Sequence, residues 1–177
     1  MRYLETQTIV QANNLISKIT STNYNLNFDI FTCKYTKKQK KILRSKGKFS
    51  HLINSLKMCF PELKTKNIKA SDFSETEIDK IKEHIEIKYQ FSPIENKNVS
   101  SFKNWNFSEE SIDNYSFSLI FDFVIKKEIG TKNFECFKFE KRIVPFEENM
   151  ETMCYLIYVK EKKRVLIVSR TLNEDFD

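Results

Sequence analysis

MCYLIYVKEKKRVLIVSR, residues 153 to 170, holds two apolar runs, Met153–Val159 and Val165–Val168, on either side of a charged turn of Lys160, Glu161, Lys162 and Lys163. Runs rich in β-branched and aromatic residues around a short polar turn read as a β-hairpin. A strand with one wet face alternates apolar and polar residues, and these runs barely alternate. The hairpin is therefore expected to be buried on both faces, with other elements packed above and below the sheet. That places it at the centre of a layered domain.

The chain has 177 residues, which fits one domain burying roughly 70% of the surface its unfolded form would expose. Hydrophobic residues make up 40% of it, and 16 are Phe, so material for a core is ample and general disorder is excluded. With only 2 Gly, neither a P-loop nor a dinucleotide-binding fingerprint can be spelled. The net charge of +6 points to an acidic partner without saying which kind. No apolar run is long enough to span a bilayer, and the start, MRYLETQTIV, lacks the apolar core of a signal peptide, so an intracellular protein without a membrane role is expected. Cys33, Cys59, Cys136 and Cys154 are widely spaced with no C-x-x-C pair, and His51 and His84 are the sole histidines. These six are read as structural rather than as metal ligands or disulfides.

In chain order, Ile9, Ala12, Leu15, Ile16 and Ile19 recur at helical spacing over Thr8 to Ile19, with Thr6 as the cap. Tyr24, Leu26, Phe28 and Ile30 alternate as in a strand running from Tyr24 to Tyr35. The span 35–48 contains the most basic stretch, KKQKKILRSKGK. Lys37, Lys38, Lys40, Lys41 and Arg44 mark it as a basic loop suited either to solvation or to nuclear import and phosphate contact. Within it Ser45, between Arg44 and Lys46, is a candidate phosphorylation site, where a phosphate would add roughly two negative charges amid the positive ones.

Phe49, Leu52, Ile53, Leu56 and Phe60 form one stripe of a second helix that Pro61 stops. Ser74 with Glu77 reads as a capping box opening a helix through Ile78, Ile81 and Ile85, although Ile85, Ile87 and Tyr89 also suit a strand. Residues 92 to 101 read as a loop. Between Ser108 and Gly130 the signals conflict. Tyr115, Phe117, Leu119, Phe121, Phe123 and Ile125 alternate as a strand does, while Ser108-Glu109-Glu110 and Lys126-Lys127 before Gly130 are helix start and stop signals. Asn133 to Lys141 reads as a strand, followed by a loop carrying Pro145 and the acidic Glu147, Glu148 and Glu151. Residues 171–177 read as a short polar tail.

MRYLE at the start, FDIFTCK at 28–34, FSHLINSLKMCFPE at 49–62, ECFKFE and PFEE from 135 to 148, and YLIYVKEKKRVLIVS at 155–169 occur in an order that resembles the Maf-one family, eukaryotic repressors of RNA polymerase III. Arg2, Leu4, Glu5, Phe28, Asp29, Phe31, Thr32, Cys33 and Lys34 match its first block; Leu52, Ile53, Leu56 and Phe60-Pro61 match its second. Glu135-Cys136, Pro145-Phe146, Tyr155, Tyr158, Lys163-Arg164, Val165 to Val168 and Ser169 match its third. The chain departs from the family in having Met153-Cys154 where the family has tryptophan and serine. It also lacks most of the phosphorylated insertion between the first two blocks and most of the acidic tail, and residues 63 to 114 align poorly.

The resemblance implies a single α/β (α+β) sandwich over 1–177, a central antiparallel sheet covered by helices, and sides with a helix for Ile112 to Ile129. It implies a negative regulator without a cofactor or an enzymatic step, shared between nucleus and cytoplasm. Such a regulator binds the clamp and initiation subunits of RNA polymerase III, with the TFIIB-related factor of TFIIIB as a further partner, and blocks docking on the promoter complex. Lys160, Lys162, Lys163 and Arg164 at the hairpin turn, with Glu147 and Glu148, are candidate partner contacts on charge and exposure. The rival reading is a basic nucleic-acid-binding module, with the basic loop on phosphates and Phe102, Trp105 and Phe107 on bases. The Maf-one reading does not expect nucleic acid to be bound directly. Asp72, Asp113 and Asp122 are the acids an enzyme would use, and no catalytic spacing joins them.

Overall fold

The computed structural model describes residues 1–19, 24–33, 47–89, 116–130, 133–146 and 152–172. The hairpin forms as its pattern demands. Strand β5, Met153–Val159, and strand β6, Arg164–Leu172, pair antiparallel from Val159↔Arg164 outward, and all seven residues of β5 are buried. They lie in the middle of one antiparallel sheet of six strands. Its other members are β1 (Arg2–Tyr3), β2 (Tyr24–Thr32), β3 (Phe73–Thr76) and β4 (Phe134–Phe139), in the order β1-β2-β6-β5-β4-β3.

Four α-helices among the described residues cover this sheet: α1 (Gln7–Ile19), α2 (Gly47–Cys59), α3 (Ile78–Tyr89) and α4 (Phe117–Val124), the last running into a π-helical turn, Ile125–Ile129. The period of two along the strands sorts the core into two layers. Leu26, Phe28, Ile30, Met153, Tyr155, Ile157, Leu166 and Val168 face α1, α3 and α4. Phe31, Phe137, Phe139, Cys154, Leu156, Tyr158, Val165 and Ile167 face α2 and the segments around Leu63, Ile68 and Phe146. Each fully buried aliphatic or aromatic side chain in these layers contributes about 1.5–3 kcal/mol. The sandwich expected from two-sided burial of the hairpin is the observed architecture.

Thr6 caps α1 through an Ile9 amide donating to its Oγ1 at 3.3 Å. One turn further on, Asn13 Nδ2 donates to the Phe28 carbonyl at 2.9 Å while its Oδ1 accepts from the Phe28 amide at 2.8 Å. Because β1 reaches only Phe31 and Thr32, this side chain stands in for a neighbouring strand along β2.

The conflicting stretch is helical where it is described. Phe117, Ile120, Phe121 and Val124 are fully buried at i, i+3, i+4, i+7 spacing. Phe117 and Phe121 lie against Phe28 at 6.1 Å between ring centroids. Ser116 caps the helix, its Oγ accepting from Leu119 N at 3.3 Å, so the described start is not Ser108-Glu109-Glu110, which lies outside the described residues with 112–115. Gly130, at φ +98°, ends the π-helical turn through its amide to the Ile125 carbonyl.

Four expectations need correction. Ser74 is no capping residue: it lies in β3 opposite Lys138, and its hydroxyl donates to Glu140 Oε1 at 2.8 Å, because ladder bonds to β4 outweigh a local cap. The region of Ile85 to Tyr89 belongs to α3 rather than to a strand. The tail begins later than 171, since Thr171 and Leu172 extend β6 by pairing with Asn25 and Tyr24. Gly47 and Lys48, read as the end of the basic loop, open α2.

Candidate functional site

At one end of the central hairpin the turn meets three other elements. Its four turn residues are exposed, and Lys163 adopts φ +50° with its amide donating to the Lys160 carbonyl at 3.2 Å. The Lys163 carbonyl in turn accepts from the Cys33 amide at 2.7 Å, tying the turn to the end of β2. Beneath it lies Glu128 of the π-helical turn, only 6% exposed. Glu128 Oε1 accepts from Thr6 Oγ1 at 2.7 Å, Oε2 accepts from Arg164 Nη1 at 3.0 Å, and its carbonyl accepts from the same Nη1 at 3.1 Å and from Lys162 Nζ at 3.3 Å. Asn133 Nδ2 donates to Glu161 Oε1 at 2.9 Å.

This arrangement divides the four cations expected at the turn. Arg164 and Lys162 are held by Glu128, a buried carboxylate whose charge is compensated by donors from two elements. Lys160 and Lys163 project into solvent with no side-chain partner among the described residues. The turn is thus a pre-organised cationic tip on a rigid base. Sequence reading missed Glu128 and Thr6 as a pair because 122 residues separate them. Glu147, Glu148, Lys37, Lys38, Lys40, Lys41, Arg44 and Ser45 lie outside the described residues, as do Phe102, Trp105 and Phe107.

Most of the chain can be laid on crystal structures of citrus MAF1. One, in space group P 31 2 1, superposes with a TM-score of 0.63 over 95% of this chain and 98% of that one, at 16% identity. A second, in space group C 2 2 21, gives 0.58 over 92% and 97%, at 13% identity. The chain has the MAF1 fold. It is the fold that the resemblance to the Maf-one family implied, recovered at an identity low enough that the likeness is one of architecture. Two uncharacterized proteins of Encephalitozoon cuniculi (strain GB-M1) are each 24% identical over 171 residues, 96% of this chain and 96% of their own length. No family model matches.

Among the described residues of this fold, the acids, thiols and histidines that an alternative chemistry would use do not form a cluster. Asp72 accepts from the Lys69 amide and pairs with Lys141 at 3.4 Å, while Asp122 pairs with Lys82 at 2.6 Å; Asp113 lies outside the described residues. The four cysteines are free, and burial pushes the Cys33 and Cys136 thiols up to about 12. Burial raises Cys154 and Cys59 as well; Cys59, whose Sγ donates to Asp29 Oδ2 at 3.3 Å, is raised further by that neighbouring carboxylate. Thiols so protonated at neutral pH are poor nucleophiles. His51 stacks on Tyr158 with centroids 5.6 Å apart, and burial, with the chain's N-terminal ammonium, holds its pKa below the usual value. His84 Nδ1 meets the Tyr155 hydroxyl, which burial pushes up to about 12. Both histidines are thus engaged with aromatic neighbours.

Proposed function

We propose that this chain represses transcription by RNA polymerase III by binding the polymerase at its clamp and initiation subunits and excluding it from the TFIIIB-promoter complex. The observation that carries this reading is the MAF1 fold over 95% of the chain. It is supported by family-like blocks in family order at the start of the chain, in α2 and through the central hairpin. Repression is by occlusion, so no bond is made or broken and no cofactor is needed. The function requires a rigid body with a complementary surface, and the tip presenting Lys160 and Lys163 on its Glu128 base suits an acidic face of the polymerase. The TFIIB-related factor of TFIIIB is a second partner in this scheme, and the protein divides between nucleus and cytoplasm.

The test is a pull-down of the purified chain with RNA polymerase III, followed by promoter-dependent transcription of a tRNA gene with TFIIIB added before or after the protein. Occlusion predicts repression when the protein comes first and little when the initiation complex is already assembled. If the chain neither binds the polymerase nor represses, the proposal is wrong. Strong salt-dependent retention of free DNA or RNA in the same preparation would instead support the nucleic-acid-binding reading.

A further inference from the structure

Beyond that function, we propose that the chain carries a peptide-binding groove, separate from the hairpin turn, that takes an acidic segment with an aliphatic side chain from a partner protein. The groove lies between the segment that follows α2 and the segment that follows β4. Its volume is about 420 Å³, within the range of about 300–1,000 Å³ typical of sites that enclose a small ligand. Behind it, Phe60 and Phe146 pack edge to face with centroids 4.9 Å apart, and Phe146 packs in the same way on Phe139 of β4 at 5.7 Å. These rings fasten both walls to the core, so the groove is built into the fold.

Its lining joins two features that soluble surfaces usually keep apart. Ile143 and Val144 supply an apolar wall, and Val144, 54% exposed, is the most exposed large aliphatic or aromatic side chain among the described residues. Around it stand Lys64, Lys141 and Arg142 against a single carboxylate, Glu62. Lys141 is already committed, to Asp72 at 3.4 Å and to the Asn67 carbonyl. Lys64 and Arg142 form no ion pair among the described residues; the nearby carboxylate of Glu140 feels the Arg142 charge but takes its direct contacts from Lys138 at 3.0 Å and Ser74 at 2.8 Å.

Charge complementarity therefore calls for a carboxylate partner, with Arg142 able to grip it bidentately and Lys64 adding a second cation. The aliphatic wall calls for a leucine, isoleucine or valine beside that carboxylate. A nucleic acid fits less well, because its bases would find no aromatic ring in the lining. The inference does not depend on repression of RNA polymerase III, and either can fail alone.

The experiment is selection of random peptides displayed on phage against the full-length chain, then fluorescence anisotropy with the enriched peptides on wild type, on Lys64→Glu/Arg142→Glu and on Val144→Asp. These side chains are at the surface, and an unchanged thermal midpoint confirms that each variant is folded. The expected result is enrichment of peptides pairing Asp or Glu with Leu, Ile or Val, bound about tenfold or more weakly by the charge-reversed variant and measurably more weakly by Val144→Asp. Absence of enrichment, or peptides that bind the charge-reversed variant as they bind wild type, overturns the proposal. A labelled oligo-deoxythymidine is run in parallel. If it binds and only its binding is lost on charge reversal, the groove is a phosphate site and the peptide proposal is overturned.

Discussion

On one face of the sheet three helices, α1, α3 and α4, close the core, with Phe28, Phe117 and Phe121 stacked at its heart. The other face is closed by one helix, α2, and by irregular chain on either side of Phe60 and Phe146. The first layer is thick and its aromatic centre is sealed. The second is thin enough that Asp29, His51 and Cys59 sit half-buried among apolar neighbours, and its edge opens into the groove beside Val144. Where helices are stacked the molecule stores stability, and where a single helix and loops do the covering it has room for titrating groups and for partners.

The sharpest test of that contrast is truncation on both sides. Ile120→Ala of α4 should cost about 3–5 kcal/mol and Leu56→Ala of α2 about 2–4 kcal/mol in urea unfolding, because the cavity on the three-helix face has less freedom to collapse. Both side chains are fully buried, so a larger loss from Leu56→Ala would break the comparison.

Next in size is Glu128→Gln, which leaves Arg164 without its anionic partner. Since the Arg164 side chain is 30% exposed, the expected loss is about 1–3 kcal/mol rather than that of a fully buried pair. Hydrogen exchange at the Lys163 and Cys33 amides should rise in this variant if Glu128 is what stiffens the turn.

A smaller effect belongs to His51 on the thin face. Its pKa is held below the ordinary value by burial, so the folded state favours the neutral ring. The unfolded chain takes up the proton first, and stability that is complete above about pH 6.5 falls as the pH drops below it. His51→Phe keeps a ring on Tyr158 and should flatten that decline; an unchanged pH profile would assign the acid sensitivity to groups other than His51, and not to Asp29, whose burial-raised pKa acts in the opposite sense.

The smallest change in stability, within about 0.5 kcal/mol, is expected for Lys160→Glu/Lys163→Glu at the exposed tip. The same double variant should lose polymerase binding in the pull-down. Binding retained in full would move the contact surface away from the turn.

Much of the fold was legible because the hairpin's apolar runs leave no wet face, and β4 and α2 carry clean periodicities. The ambiguous stretch around Phe117 to Ile129 was not, since Phe and Ile at alternate positions serve a strand and a fully buried helix equally well. Strands β1 and β3 escaped notice because each is short and exists through its partner: Arg2 and Tyr3 pair with Thr32 and Phe31, and Ser74 with Lys138. Of the candidate site, the charge of the turn was visible. Its division into two held cations and two free ones was not, since Glu128 and Thr6 lie far from the turn in the chain.

The sequence by itself determined that this chain folds as a layered domain around a doubly buried hairpin. The near-absence of alternation in the two runs 153–159 and 165–168 points to burial on both faces of that hairpin, and the order of its blocks pointed to the Maf-one family. Only the tertiary structure decided which charges are spent inside the molecule and which remain for partners. An ion pair such as Arg164 with Glu128, or a groove walled by residues 62–67 and 141–144, depends on distances between segments far apart in the chain, and no local pattern encodes those distances.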